Sequence, residues 1–104
     1  MRYSPPLLLS VMANSNFRIE LAPEVTLTET EGKIVLFSKK TGDFFGLNES
    51  AVLFIKELSS KDYLHTLQTA SKTFAVPESE LASDILELVA ELEKQKLLKK
   101  IPVT

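Results

Sequence analysis

The chain contains no cysteine and no tryptophan among its 104 residues. Without cysteine there is no disulfide staple, no thiolate metal site and no cysteine nucleophile. Histidine occurs once, at His65 within a helical pattern, so an imidazole pair or histidine-rich metal centre is excluded, and a surface or packing role is expected for it. Glycine is scarce: Gly32, Gly42 and Gly46 are all there are, and they form no glycine-rich phosphate loop. Long apolar runs are missing too. Leu7-Leu8-Leu9 follows Pro5-Pro6 and is interrupted by Ser10, short of both the about 20 residues of a spanning helix and the about 7–15 of a secretory signal. Nor does one charge sign dominate. Twelve basic residues face 14 acidic ones, a net charge of −2, which gives no general attraction to nucleic acid or to an anionic membrane. A single small cytoplasmic domain is expected, without cofactor or metal.

What the chain does have is a change of period. Val25 and Leu27 alternate with Thr26, Thr28 and Thr30, the pattern of a half-buried strand. Glu31-Gly32 supplies a tight turn into the apolar run Ile34-Val35-Leu36-Phe37. Lys39-Lys40-Thr41-Gly42 makes a second hairpin loop, with Gly42 suited to positive φ, and Asp43–Leu47 forms the third strand. Sequential antiparallel strands pair as neighbours, so this third strand keeps a free edge. Its alternation places Phe45 and Leu47 on one face and Phe44 on the other, leaving open which face meets the helices.

Three helices follow. Asn48 caps the first, Glu49–Leu58, in which Ala51, Val52, Phe54, Ile55 and Leu58 form an apolar stripe. Tyr63, Leu64, Leu67, Ala70 and Phe74 mark the second, which Val76-Pro77 stops. Pro77 suits the first turn of the third. That helix carries Leu81, Ile85, Leu88 and Leu92 on one face and Ala82, Leu86 and Val89 beside it. Two adjoining stripes exceed what one contact needs, so one is free to line a groove. The fold expected is α+β and winged-helix-like, a three-stranded antiparallel sheet followed by three helices.

No activated nucleophile sits beside a base, and the carboxylate pairs of the third helix have the spacing of a solvated face, so no enzyme is expected. A DNA-reading winged helix meets a further objection. Glu78, Glu80, Asp84, Glu87, Glu91 and Glu93 all precede Lys94, the first basic residue of that helix, and such a face repels phosphates. Lys94, Lys96, Lys99 and Lys100 gather at its end, where they complement the helix dipole.

From Glu24 to Ile101 the chain resembles the PqqD-like family, small recognition elements of pathways that modify ribosomally made peptides. The resemblance rests on Gly32 in the first turn, the Thr41-Gly42 loop and the junction Phe45-Gly46-Leu47-Asn48. It continues through Ala51, Asp84-Ile85, Leu88, Leu92 and Leu97-Leu98. It implies a domain that binds the leader region of a precursor peptide as an added strand beside the third strand. The implied peptide contacts are Asp43, Phe44, Phe45, Gly46 and Leu47, with Ile85, Leu88, Val89 and Leu92 as the groove wall and Asp84 as an acidic position. The implied partners are the precursor leader, a leader-cleaving cysteine protease and an ATP-dependent cyclase, with no nucleic acid and no membrane.

Residues 1–23 read as an extended arm. Tyr3, Pro6 and Leu8 have the spacing Tyr-x-x-Pro-x-Leu, which is similar to the leaders of lasso-peptide precursors. Residues 1–11 are therefore assigned as a leader-like segment, 12–23 as a linker and 24–104 as the recognition domain, and Met12-Ala13-Asn14 would make an original start for the chain that follows the leader-like segment. The alternatives are a PqqD-like chaperone for another class of modified peptide, where the Tyr-Pro-Leu spacing is accidental, and a winged-helix DNA-binding regulator.

Overall fold

The structure, a computed structural model, describes residues 16–103. In chain order its elements are β1 (Phe17–Leu21), β2 (Val25–Thr30), β3 (Lys33–Ser38), β4 (Phe44–Gly46), α1 (Glu49–Ser60), α2 (Tyr63–Phe74), α3 (Glu78–Lys94) and β5 (Leu98–Pro102). The strands β2, β3 and β4 form the expected antiparallel sheet in that spatial order. Glu31 and Gly32 take φ of 53° and 80°, two left-handed residues that match the twist of a two-residue hairpin. Gly42 has φ 78°, where a side chain is strained.

The first two helices start on capping side chains, the first of them at the expected Asn48. The Ala51 N–H donates to Asn48 Oδ1 at 2.8 Å and the His65 N–H to Asp62 Oδ1 at 2.8 Å. Each satisfies one of the donors that a helix start leaves unpaired. Pro77 stands at the cap position just ahead of α3.

Residues 17–21 depart from the expectation of a linker. Phe17–Leu21 is a strand paired antiparallel with β5, Phe17 opposite Pro102 and Leu21 opposite Leu98. Phe17 and Ile19 are buried in the core while Glu20 is exposed, so burial of every second side chain is what holds this segment. The basic C-terminal cluster is corrected as well. Lys99 and Lys100 are exposed residues of β5 rather than part of the third helix, which ends at Lys94.

The core joins both sheets to the helices: Phe17, Ile19 and Leu98 from the β1–β5 pair, Val25 and Leu36 from the larger sheet, and Phe54, Ile55, Leu58, Leu67, Leu81, Ile85, Val89 and Leu92 from the helices. Asn16 fastens the start of β1 to α2. The Leu64 N–H donates to Asn16 Oδ1 at 3.1 Å, and Asn16 Nδ2 donates to Asp62 Oδ2 at 3.4 Å. Beside it the Phe17 and Tyr63 rings stack with centroids 5.1 Å apart.

Burial pushes the Tyr63 hydroxyl above its ordinary value of 10.0, and the charge of Glu78 adds to this. The folded chain therefore keeps a proton that the unfolded chain releases. The stability this contributes is fully present below about pH 10 and is lost as the pH rises through the raised folded value. Thermal melts at about pH 9 and pH 11 should show a steeper alkaline loss for the unaltered chain than for Tyr63→Phe, which has no such proton.

Candidate functional site

The open edge of β4 lies over a groove. Register determines what that edge offers. Phe45 stands opposite Leu36, flanked by Phe44 opposite Phe37 and Gly46 opposite Val35. The Leu47 N–H donates to Ile34 O at 3.2 Å and the Ser38 N–H to Asp43 O at 2.9 Å. Hydrogen-bonded pairs alternate along an antiparallel ladder, so Phe45 also turns its N–H and C=O toward β3. Phe44 and Gly46 then present theirs outward, and these are the groups to which a further strand would bond.

Chemistry distinguishes this edge from that of β5. The outer strand β5 carries exposed Lys99, Lys100 and Pro102, residues that discourage edge-to-edge pairing. Between Phe44 and Gly46 there is no charge and no proline, and Phe44 is 61% exposed. Phe45 packs against the core, so its face of β4 is the one that meets the helices.

A groove of about 220 Å³ borders this strand. Asp43, Phe44 and Phe45 line one side, Leu36 and Ser38 of β3 and Glu24 of the turn before β2 lie beside them, and Gln95, Lys96 and Leu97 close it from the end of α3. The residues after α3 are held there by the backbone: the Ala22 N–H donates to Leu97 O and the Leu97 N–H to Leu92 O, both at 2.9 Å. Lys96 takes φ 63° at this turn. The lining is apolar at its base and carries both charge signs at its rim, through Lys40, Lys96, Glu24 and Asp43.

Of the residues expected at the site, Asp43, Phe44, Gly46 and the half-buried Phe45 and Leu47 stand together on or beside β4. The third-helix residues are placed otherwise. Ile85, Val89 and Leu92 are 0%, 1% and 0% exposed, members of the core rather than a spare surface stripe. Leu88 is partly buried against that core, and Asp84 is exposed. None of these five lines the groove. Gln95, Lys96 and Leu97 supply the helix-side wall instead. Sequence reasoning missed these three because a turn after a helix has no apolar period to reveal it. Tyr3, Pro6 and Leu8 lie outside the described residues.

A family model described as coenzyme PQQ synthesis protein D (PqqD) matches residues 33–98, well over half of the chain. The chain belongs to the PqqD family. The matched span runs from the start of β3 to the start of β5 and so includes the whole β4 edge and the residues that close the groove. A solved structure described as "Lasso peptide synthetase B1 complexed with the leader peptide" is similar with a TM-score of 0.72. The two are 23% identical, over 79% of this chain and 98% of that one, a likeness that establishes the winged-helix-like fold of this PqqD-family member. Among curated proteins none matches.

Among the described residues no group of three or more potential ligands is placed to hold a metal ion. No helix among them is long and apolar enough to cross a membrane.

Proposed function

We propose that the chain captures the leader region of a lasso-type precursor peptide as a strand added to β4, and presents it to processing enzymes. The observation that carries this reading is the uncharged open edge at Phe44–Gly46, with two residues' backbone groups directed outward above a groove. Strand addition uses such groups for affinity and neighbouring side-chain pockets for selectivity. Membership of the PqqD family supports the reading, as does the similar fold of a protein described as bound to a leader peptide. The processing partners are a leader-cleaving cysteine protease and an ATP-dependent cyclase, and the chain itself serves as a binding element without catalysis. Residues 1–11 supply a leader-like ligand of the same kind through Tyr3, Pro6 and Leu8. In an extended strand Pro6 and Leu8 share one face and Tyr3 takes the other.

Calorimetry with a synthetic peptide containing Tyr-x-x-Pro-x-Leu tests the proposal, using the chain without residues 1–11. Burial of three side chains at about 1.5–3 kcal/mol each and several backbone bonds at about 0.5–1.5 kcal/mol each oppose an association cost of about 4–15 kcal/mol. Micromolar or tighter binding is expected, and no heat at high micromolar concentration would sink the reading.

The register sharpens the mutational test. Phe44→Pro removes an outward N–H without touching the β3–β4 ladder, a position where an edge strand tolerates proline. It should leave circular dichroism unchanged and weaken peptide binding by about tenfold or more beyond Phe44→Ala, which controls for the lost ring. Phe45→Pro should instead lower the melting temperature, because the Phe45 N–H faces Leu36. Equal affinity for the proline and alanine variants at position 44 would place the peptide elsewhere.

A further inference from the structure

Gly46 is a glycine for which the free fold has no evident need. Its backbone is outside the left-handed region occupied by Gly32 and Gly42, and a Cβ built on it meets no atom within 4 Å. Glycine in a strand weakens the strand, and where no bulge or positive φ requires it, it marks a place where another molecule approaches closely. The surroundings indicate what approaches. Gly46 lies on the outward sheet face, opposite Val35. Two positions before it on the same face, Phe44 projects from the sheet and packs on Phe37 with ring centroids 4.8 Å apart. The result is a bare stretch of backbone at an open edge, framed by a valine and by the exposed Phe44 ring resting on the half-buried Phe37.

A strand added at β4 would place one residue directly across from Gly46, in a hydrogen-bonded pair because Gly46 directs its N–H and C=O to the edge. That residue's side chain would fall on the same outward face, within about 5 Å. A flat ring at this position covers exposed glycine backbone, as cross-strand aromatics do for edge glycines, and it reaches the Phe44 ring at a distance where aromatic pairs attract.

On the strand-addition reading above, we infer that Gly46, Phe44 and Val35 form a subsite that selects an aromatic residue in the captured peptide at the position paired with Gly46. The subsite is on the face of β4 opposite to the Phe45 side chain, which packs against the core. The two faces therefore read alternate residues of the same bound strand.

The test uses the full-length chain carrying Tyr3→Ala and Leu8→Ala, so that its own arm does not compete. The probe is a fluorescein-labelled peptide with the sequence of residues 1–11, and a second probe has alanine in place of its tyrosine. Gly46→Phe fills the bare site with a ring of the chain's own in space that is open. It should raise the melting temperature and yet weaken the tyrosine probe by about tenfold, to the level of the alanine probe. The alanine probe should lose less than the tyrosine probe, so that the ratio of the two affinities falls. Phe44→Ala should likewise cost the tyrosine probe more than the alanine probe. If Gly46→Phe weakens both probes equally, or neither, the aromatic subsite is overturned while strand capture stands. If neither probe binds the chain with Gly46 intact, strand capture and the subsite fall together.

Discussion

Removing residues 1–11 is expected to strengthen capture of an added leader peptide about a thousandfold. A short tether holds a ligand at an effective concentration of order millimolar. A segment of about micromolar affinity then leaves only about one groove in a thousand open. The structure shortens that tether relative to the sequence reading. β1 begins at Phe17, and Asn16 is fastened to the start of α2, so residues 9–15 provide a reach of about 23–25 Å. The groove lies near the other end of β1, where Leu21 faces Leu98 and Ala22 bonds Leu97, about 13 Å along the strand. Docking within one molecule is within reach. Tyr3→Ala with Leu8→Ala in the full chain should release the block as deletion does. The domain should stay folded but melt at a lower temperature, because a segment held at about a thousand times its dissociation constant stabilises the folded state by about 4 kcal/mol. Competition titration of the full and shortened chains measures the effect, and equal affinities would make the arm a mere tail. A block that weakens on dilution would show docking between molecules, with a dimer at high concentration.

Ile85→Ala should cost about 2–5 kcal/mol of stability, the usual loss for emptying a buried aliphatic site. For a domain of this size that is a large share of the total. Leu88→Ala, which trims a partly buried side chain, should cost less. Chemical denaturation of the two variants decides whether α3 presents Ile85 to the core or to a ligand. A stable Ile85→Ala variant with impaired peptide binding would restore the sequence-based assignment of this residue to the groove wall.

Much of the architecture is legible in local pattern. The Val25–Thr30 alternation, the Glu31-Gly32 and Thr41-Gly42 turns, the Asn48 cap and the three apolar helix stripes each depend on a few neighbouring residues. Each kept in the fold the form its chemistry dictates. The β4 edge is legible for a related reason, because three sequential short-looped strands leave the third with one neighbour. Two features were hidden. Phe17, Ile19 and Leu21 do alternate with Arg18 and Glu20, but the stretch is short and bounded by Asn16 and Pro23. Its partner β5 lies at the far end of the described chain.

The wall of the groove was hidden for a different reason. A helix with adjoining apolar stripes along Leu81, Ala82, Ile85, Leu86, Leu88, Val89 and Leu92 has several rotations that satisfy its period. Only packing against α2 and the strands chooses among them.

The sequence by itself determined the run of three strands and three helices from Val25 to Lys94, the turns, the Asn48 cap and the family, because these follow from backbone preferences and residue spacing within short windows. The tertiary structure alone decided that the first segment is a strand and that Ile85, Val89 and Leu92 belong to the core. It also assigned the groove's second wall to Gln95–Leu97 and turned the Phe44 and Gly46 amides outward. Each of these depends on which distant surfaces meet and in what register, and a one-residue shift in register would have presented the other backbone groups to the open edge.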